Sequence, residues 1–432
     1  MTPQSCFMVV ASIVPAREAS LRELLQSMNA QAGNADPGNA VLPFGAVETL
    51  HYARLVLVDD AMQADLAVCG VTPARIPTRL VLMGDCDGPA ADCLAAIARV
   101  AEAGLRRLFG HCQDFTEGAD VLAWMRAHDQ PVAVNFICRL GRTVRRVRED
   151  HALWRALAAR VPRGPLEGPG EAQSRCRALL DFVEAERRAG RLALTDERPT
   201  PLAWQFANAL HLVALPVLAL LLAPLWLAAL PFALLMLRRL EKSDPEWCPR
   251  PDPAALRALQ GLEDFDVTNQ FSAIGPVKPG WFRRLLVRGV LTAIQYTCRH
   301  IFHRGYLARV QTIHFARWVV LDDTARVFFA SNYDGGHEAY MDDFINKVGW
   351  GLNLVFSNGV GWPRTSWLLF GGAKKEPDFK RYQRRHQIPT QVWYKAYPGL
   401  TLTDLERAGR IRDGLRGAAR SEASALAWLR LI

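Results

Sequence analysis

The fold is decided by Thr312-Ile313-His314-Phe315-Ala316-Arg317-Trp318-Val319-Val320-Leu321-Asp322-Asp323, continued by Ser331-Asn332-Tyr333-Asp334-Gly335-Gly336-His337-Glu338. Two apolar runs, Ile313–Leu321 and Arg326–Ala330, flank Asp322-Asp323-Thr324, which reads as a tight hairpin. Asp334-Gly335 is a second turn that launches a helix. The same pattern stands near the start of the chain. Leu50-His51-Tyr52-Ala53-Arg54-Leu55-Val56-Leu57-Val58-Asp59-Asp60 repeats Ile313–Asp323 almost residue for residue. An internal duplication is therefore the first expectation.

Working outward, the match continues in order. Phe7–Pro15 answers Phe271–Pro279, and Arg79–Gly88 answers Arg326–Gly335. The helix that follows keeps one apolar stripe in both copies, Leu94, Ile97, Ala98, Ala101, Leu105 against Met341, Phe344, Ile345, Val348, Leu352. That spacing lays one helix face on a sheet. Leu108–His111 then answers Val355–Asn358. Ala127–Pro131 answers Arg385–Pro389, and the strands Val132–Ile137 and Thr390–Ala396 follow. Strand–helix–strand–strand–helix–strand is the ferredoxin-like order. The predicted fold is thus α+β, with ferredoxin-like repeats at residues 1–160 and 271–432 whose sheets pair face to face into an α/β barrel.

Residues 161–270 join the repeats. Pro162–Gly170 reads as a linker, because its prolines and glycines interrupt any ladder, and a short amphipathic helix follows near Glu171–Arg188. Phe206–Leu237 then runs for 32 residues without Asp, Glu, Lys or Arg, interrupted by Pro216, Pro224 and Pro231 and closed by Arg238-Arg239. As one helix it is long enough to span a bilayer core of ~30 Å. Paired repeats must lie on one side of a membrane, which a single crossing forbids. Folding at the prolines gives arms of about 15 residues that reach only ~23 Å each, so a re-entrant hairpin in one leaflet is expected. Trp281–Arg304 mixes aromatic and aliphatic residues with arginines, as at an anionic lipid interface.

A net charge of +9 favours an anionic surface as partner. Because the positive charge clusters beside apolar runs, membrane lipid is expected rather than nucleic acid. Nine scattered cysteines without a C-x-x-C pair suggest reduced thiols, and the N-terminal run lacks the basic region of a cleaved signal peptide. The expected location is the inner membrane, with the repeats on its cytoplasmic side.

Each copy carries a histidine and an arginine three apart on its central strand, His51 with Arg54 and His314 with Arg317. Strand period sends the two to opposite faces unless a bulge intervenes. A buried arginine needs an anion or a carboxylate, and Asp322 and Asp343 are the expected partners of Arg317. Asn332, Tyr333, Asp334, His337, Glu338 and Tyr340 crowd one strand-to-helix turn, whereas the first copy has Pro89-Ala90-Ala91 there. A site built mainly by the second copy follows, with Tyr394 among its aromatic walls.

Thr312–Asp323, Ser331–Gly335 and Pro389-Thr390-Gln391-Val392-Trp393-Tyr394 resemble a bacterial family of membrane-associated proteins. That family's fold is similar to the dimeric α/β-barrel superfamily of dye-decolourising peroxidases, whose Gly-x-x-Asp-Gly motif Gly84-Asp85-Cys86-Asp87-Gly88 fits literally. The resemblance implies a peroxidase-type oxidoreductase acting on a hydrophobic, lipid-like small molecule in the barrel cavity. Haem would be held by His314, Arg317, Asp334 and His337 would be catalytic, and Asn332, Tyr333 and Tyr394 would contact substrate. The other expectation is a non-catalytic membrane protein that binds lipid or another hydrophobe.

Overall fold

The structure is a computed structural model and describes the chain except residues 162, 163, 165–167 and 324. Most of the expected linker core and one residue of the expected hairpin turn therefore lie outside the described residues. The first copy gives β1 (Gln4–Ser12), α1 (Glu18–Ser27), the short β2 (Asn29–Gln31) and β3 (Gly33–Ala35), then β4 (Leu50–Val58) and β5 (Arg79–Asp87). It continues through α2 (Ala90–Phe109), α3 (Val121–His128), β6 (Val132–Ile137) and α4 (Val144–Arg160). The middle of the chain is helical: α5 (Glu171–Arg188), α6 (Leu202–Leu221), α7 (Ala223–Ser243) and α8 (Pro253–Gln260). The second copy gives β7 (Thr268–Pro276), α9 (Trp281–His300), β8 (Ile313–Leu321), β9 (Arg326–Asp334), α10 (His337–Phe356) and the two-residue strands β10 (Thr365–Ser366) and β11 (Phe370–Gly371). It ends with α11 (Glu376–His386), β12 (Thr390–Lys395), α12 (Leu402–Gly414) and α13 (Glu422–Leu429).

The copies agree in details that their periodicity does not impose. Helix α2 is interrupted at Ala101 (φ −127°, ψ 25°), and α10 at Val348 (φ −139°, ψ 22°), each eleven residues after the helix start. Gly88 and Gly335 both take positive φ at the strand-to-helix turn, which a side chain would oppose. His128 stacks on Trp124 and sets Nδ1 2.8 Å from its carbonyl oxygen, and His386 does the same on Tyr382 at 2.9 Å.

Sheet order departs from two self-contained units. One sheet runs β1-β5-β4-β12-β3-β2 and the other β6-β8-β9-β7. Each copy therefore lends its last long strand to the other: β12 pairs antiparallel with β4, and β6 with β8. The two sheets face one another across a dry layer of Met8, Val10, Val56, Val58, Val81 and Met83 against Ile274, Val319, Leu321, Phe328 and Ala330. Helices α2 and α10 cover the outer faces through the stripes read from sequence.

The apolar segment differs from expectation. Pro216 and Pro231 lie inside helices, and the break falls at Leu222, just before Pro224. The arms are 20 and 21 residues long rather than about 15, so each reaches ~30 Å. Both ends return to α9. His211 Nδ1 lies 2.9 Å from His300 Nε2, and Asn208 accepts from Arg299 at 2.8 Å. Beyond α7, Asp244 accepts from Arg283 at the other end of α9, 2.5 Å away. Arg283 is thus a buried structural cation, not part of a basic surface.

Candidate functional site

The seam between the sheets begins with a bulge. Pairing of β4 with β5 slips between Leu50 and Tyr52, and pairing of β8 with β9 between Ile313 and Phe315. The extra residues are His51 and His314. A bulge re-aims a side chain, so each histidine reaches the carboxylate that ends the neighbouring strand, while the arginine three positions on crosses to the opposite sheet. His51 Nε2 lies 2.9 Å from Asp87 Oδ1, and His314 Nε2 lies 2.7 Å from Asp334 Oδ1. The second carboxylate oxygen of each accepts from the first residue of a helix: Val144 N donates to Asp87 at 2.9 Å and Leu402 N to Asp334 at 2.7 Å. Helix N-termini favour anions, so each Asp–His pair is held from both sides.

Two tyrosines connect the pairs. His51 Nδ1 is 2.9 Å from the Tyr397 hydroxyl, and His314 Nδ1 is 3.2 Å from the Tyr52 hydroxyl. The hydroxyls contact each other, with their rings edge to face at 5.5 Å. Burial pushes both phenols upward, so they act as neutral hydroxyls. The result is a buried line, Asp87–His51–Tyr397–Tyr52–His314–Asp334, drawn from both copies. Hydrogen counting constrains it. With both carboxylates ionised and both imidazoles neutral, four hydrogens serve five contacts.

Deeper in the seam, two arginines face one carboxylate. Arg54 donates to Phe271 O, Ser272 Oγ and Ser331 O, each at 2.9 Å, and to Asn332 Oδ1 at 2.5 Å. Arg317 donates to Phe7 O at 2.7 Å and pairs with Asp85, which also accepts from Asn332 at 3.2 Å. Burial and the nearby Arg317 push Arg54 down to about 9, so it stays charged at neutral pH. Burial opposes the charge on Arg317, but Asp85 outweighs it and the net shift is upward. The partner of Arg317 is therefore neither Asp322, which pairs with Arg79 and Arg326, nor Asp343, which pairs with Lys347.

The residues expected to form one site separate into layers. His314, Asp334, Arg317 and Asn332 lie in the seam. Tyr333 stacks on Tyr340 at 3.7 Å, and Tyr394 on Phe44 at 5.2 Å, among the residues packed between sheets and helices. His337 packs on Phe271, its Nδ1 3.7 Å from Glu263. Burial, then Arg384 and Lys380, hold it down at about 3. Glu338 is exposed and meets Arg384 and Lys380. Tyr52 was not singled out from sequence, and Asp85 was quoted only inside the Gly-x-x-Asp-Gly match. Tyr52 directly follows the repeated histidine, a signal available in the text, whereas Tyr397 stands out only as one of the aromatic residues around Tyr394.

Haem does not fit this seam. Both ring nitrogens of His314 are engaged, and the cavity beside the two histidines holds about 20 Å³, room for a single water. Among the described residues there is no cluster of His, Cys, Asp and Glu able to hold a metal. A larger cleft of about 370 Å³ lies outside the first copy, bordered by Asp87, Asp92, Thr143, Arg145 and Arg198. Comparison with family models, with curated proteins and with solved structures returned no match to this chain.

Proposed function

We propose that the chain is a tandem ferredoxin-like α/β barrel held on the cytoplasmic face of the inner membrane, acting there as a non-catalytic, lipid-binding protein. The observation that carries the reading is the bareness of α6 and α7. Phe206, Leu210, Val213, Leu220, Leu221, Leu225, Trp226, Phe232 and Leu235 are all exposed. Moving one such side chain fully out of water is worth about 1.5–3 kcal/mol, so this surface favours lipid by on the order of 20 kcal/mol. Both arms are rooted on α9, which keeps the flanks of the segment on one side. Arg238, Arg239 and Lys242 at the end of α7 supply the positive flank expected towards the cytoplasm.

A second exposed group adjoins this root. Buried Glu241 accepts from the Trp367 and Leu368 amides, each at 2.9 Å, and fixes a turn in which both residues take positive φ. That turn leaves Trp367, Leu369 and Phe370 outside the core, beside α7. Amphipathic aromatic residues at such a position suit a membrane interface.

The test is membrane retention of the full chain. Wild type is expected to float with phosphatidylglycerol–phosphatidylcholine vesicles and to resist carbonate extraction. Replacing Leu220, Leu221 and Leu225 by Asp should release it. Wild-type protein that stays soluble and monodisperse without detergent or lipid would overturn the reading.

A further inference from the structure

At the root of α6 lies a cavity of about 180 Å³ that no part of the seam uses. Its walls come from the start of β1, β6 and the loop after it, the C-terminal part of α9 and the following loop, and Trp204 at the start of α6. No carboxylate lines it, but Arg299 does. Arg299 spends Nε on the neutral Asn208 amide oxygen, and among the described residues no carboxylate pairs with it. Two further polar atoms of lining residues are buried without a hydrogen-bond partner: Asn135 Oδ1 and His303 Nδ1. Gln295 Oε1 accepts from the backbone N–H of Asn135 at 2.8 Å, so Nε2 is its end available to donate.

Unpaired buried polar groups are costly, about 1–3 kcal/mol each, and two of them beside an arginine that no carboxylate pairs point to an occupant. The chemistry of that occupant follows from the vacant partners. Arg299 and Gln295 offer donors to an anion. Asn135 Oδ1 is an acceptor and calls for a hydroxyl. A volume equal to about six waters accommodates a phosphate with a three-carbon alcohol. Trp204 and the apolar arm beyond it lead from this space along the surface assigned to lipid.

We propose that this cavity binds a phosphate ester bearing a free hydroxyl, of the phosphoglycerol type, with Arg299 meeting the phosphate and Asn135 the hydroxyl. The site deepens the membrane reading and rests on it for the source of the ligand. A lipid headgroup and a soluble glycerol phosphate share this chemistry.

The full chain in detergent is titrated calorimetrically with dihexanoyl phosphatidylglycerol, dihexanoyl phosphatidic acid, dihexanoyl phosphatidylcholine, glycerol 1-phosphate and inorganic phosphate. The expected result is preference for phosphatidylglycerol, weakened at least ten-fold in Arg299→Gln and partly restored in Arg299→Lys. Asn135→Leu should lose the preference for phosphatidylglycerol over dihexanoyl phosphatidic acid. Equal binding of glycerol 1-phosphate would support the site and assign it to a soluble ester. Binding unchanged in Arg299→Gln, or no binding of any of the probes, would overturn the proposal. Should Arg299→Gln fail to fold, Gln295→Leu must show the same weakening. Vesicle flotation separates the two readings: a floating protein with no anion site loses only this proposal, and a protein that does not float loses the membrane reading.

Discussion

The two copies repeat one set of contacts in the seam and are unlike at the periphery. Each places a bulged histidine on the carboxylate of the next strand, each caps that carboxylate with a helix amide, and each sends an arginine into the opposite sheet. Outside the seam they part. The first copy opens the cleft beside Asp87, where Pro89-Ala90-Ala91 starts its helix. The second fills the corresponding turn with His337 and packs α10 and α11 around neutral histidines. The difference teaches that the seam is the shared working part of the fold. Each half completes the other's polar groups there, so neither side can change alone.

The sharpest way to break this comparison is to remove one arginine from each copy. Arg317→Ala strands Asp85 in the interior and should cost about 3–5 kcal/mol. Arg54→Ala leaves neutral carbonyls and an amide short of a donor and should cost about 2–3 kcal/mol. Chemical denaturation of both variants ranks them, and equal losses would show that the single carboxylate is not the keystone of the pair.

A smaller effect sharpens the peripheral contrast. Burial holds His337 at about 3 and His386 at about 4, both below the ordinary value near 6.5. The unfolded chain therefore binds protons more readily than the folded one. Their contribution is fully present above about pH 6.5 and is lost as pH falls towards 4. At pH 5 each histidine should cost roughly 2 kcal/mol. Amide exchange at pH 5 should open β7, β8 and β9 before β1, β5 and β4, and His337→Leu should narrow the gap.

The smallest expected difference lies in the helix starts behind the two carboxylates. Thr401 forms a full capping box with Asp404, whereas Thr143 accepts only from Arg146 N. Thr401→Ala should cost about 1 kcal/mol and Thr143→Ala about 0.5 kcal/mol, read as shifts in the denaturation midpoint.

Much of this architecture is legible in the text because strand alternation and Asp-Gly or Asp-Asp punctuation are local. β4, β5, β8 and β9 lie within a few residues of where that punctuation puts them. β1 and β7 begin three residues earlier than read, since Gln4-Ser5-Cys6 and Thr268-Asn269-Gln270 look like loop yet lie in the polar seam. Strand period tells which face a residue occupies but not which sheet a strand joins, so the exchange of β6 and β12 is invisible to it. The Arg317–Asp85 pair spans 232 residues, and no spacing rule reaches that far. The arms were underestimated because a proline inside an apolar helix was read as a stop. Pro216 and Pro231 lie inside helices that continue past them.

The exchange of end strands has a consequence for biosynthesis. When β6 leaves the ribosome, its partner β8 is still about 180 residues from being made, and the edge of β4 waits even longer for β12. Such distant pairing is slow and leaves bare edges prone to wrong partners. Between those moments the apolar arms emerge, so the chain exposes them before its two sheets can close. A gene cut between the copies would yield two fragments that rescue one another only when produced together.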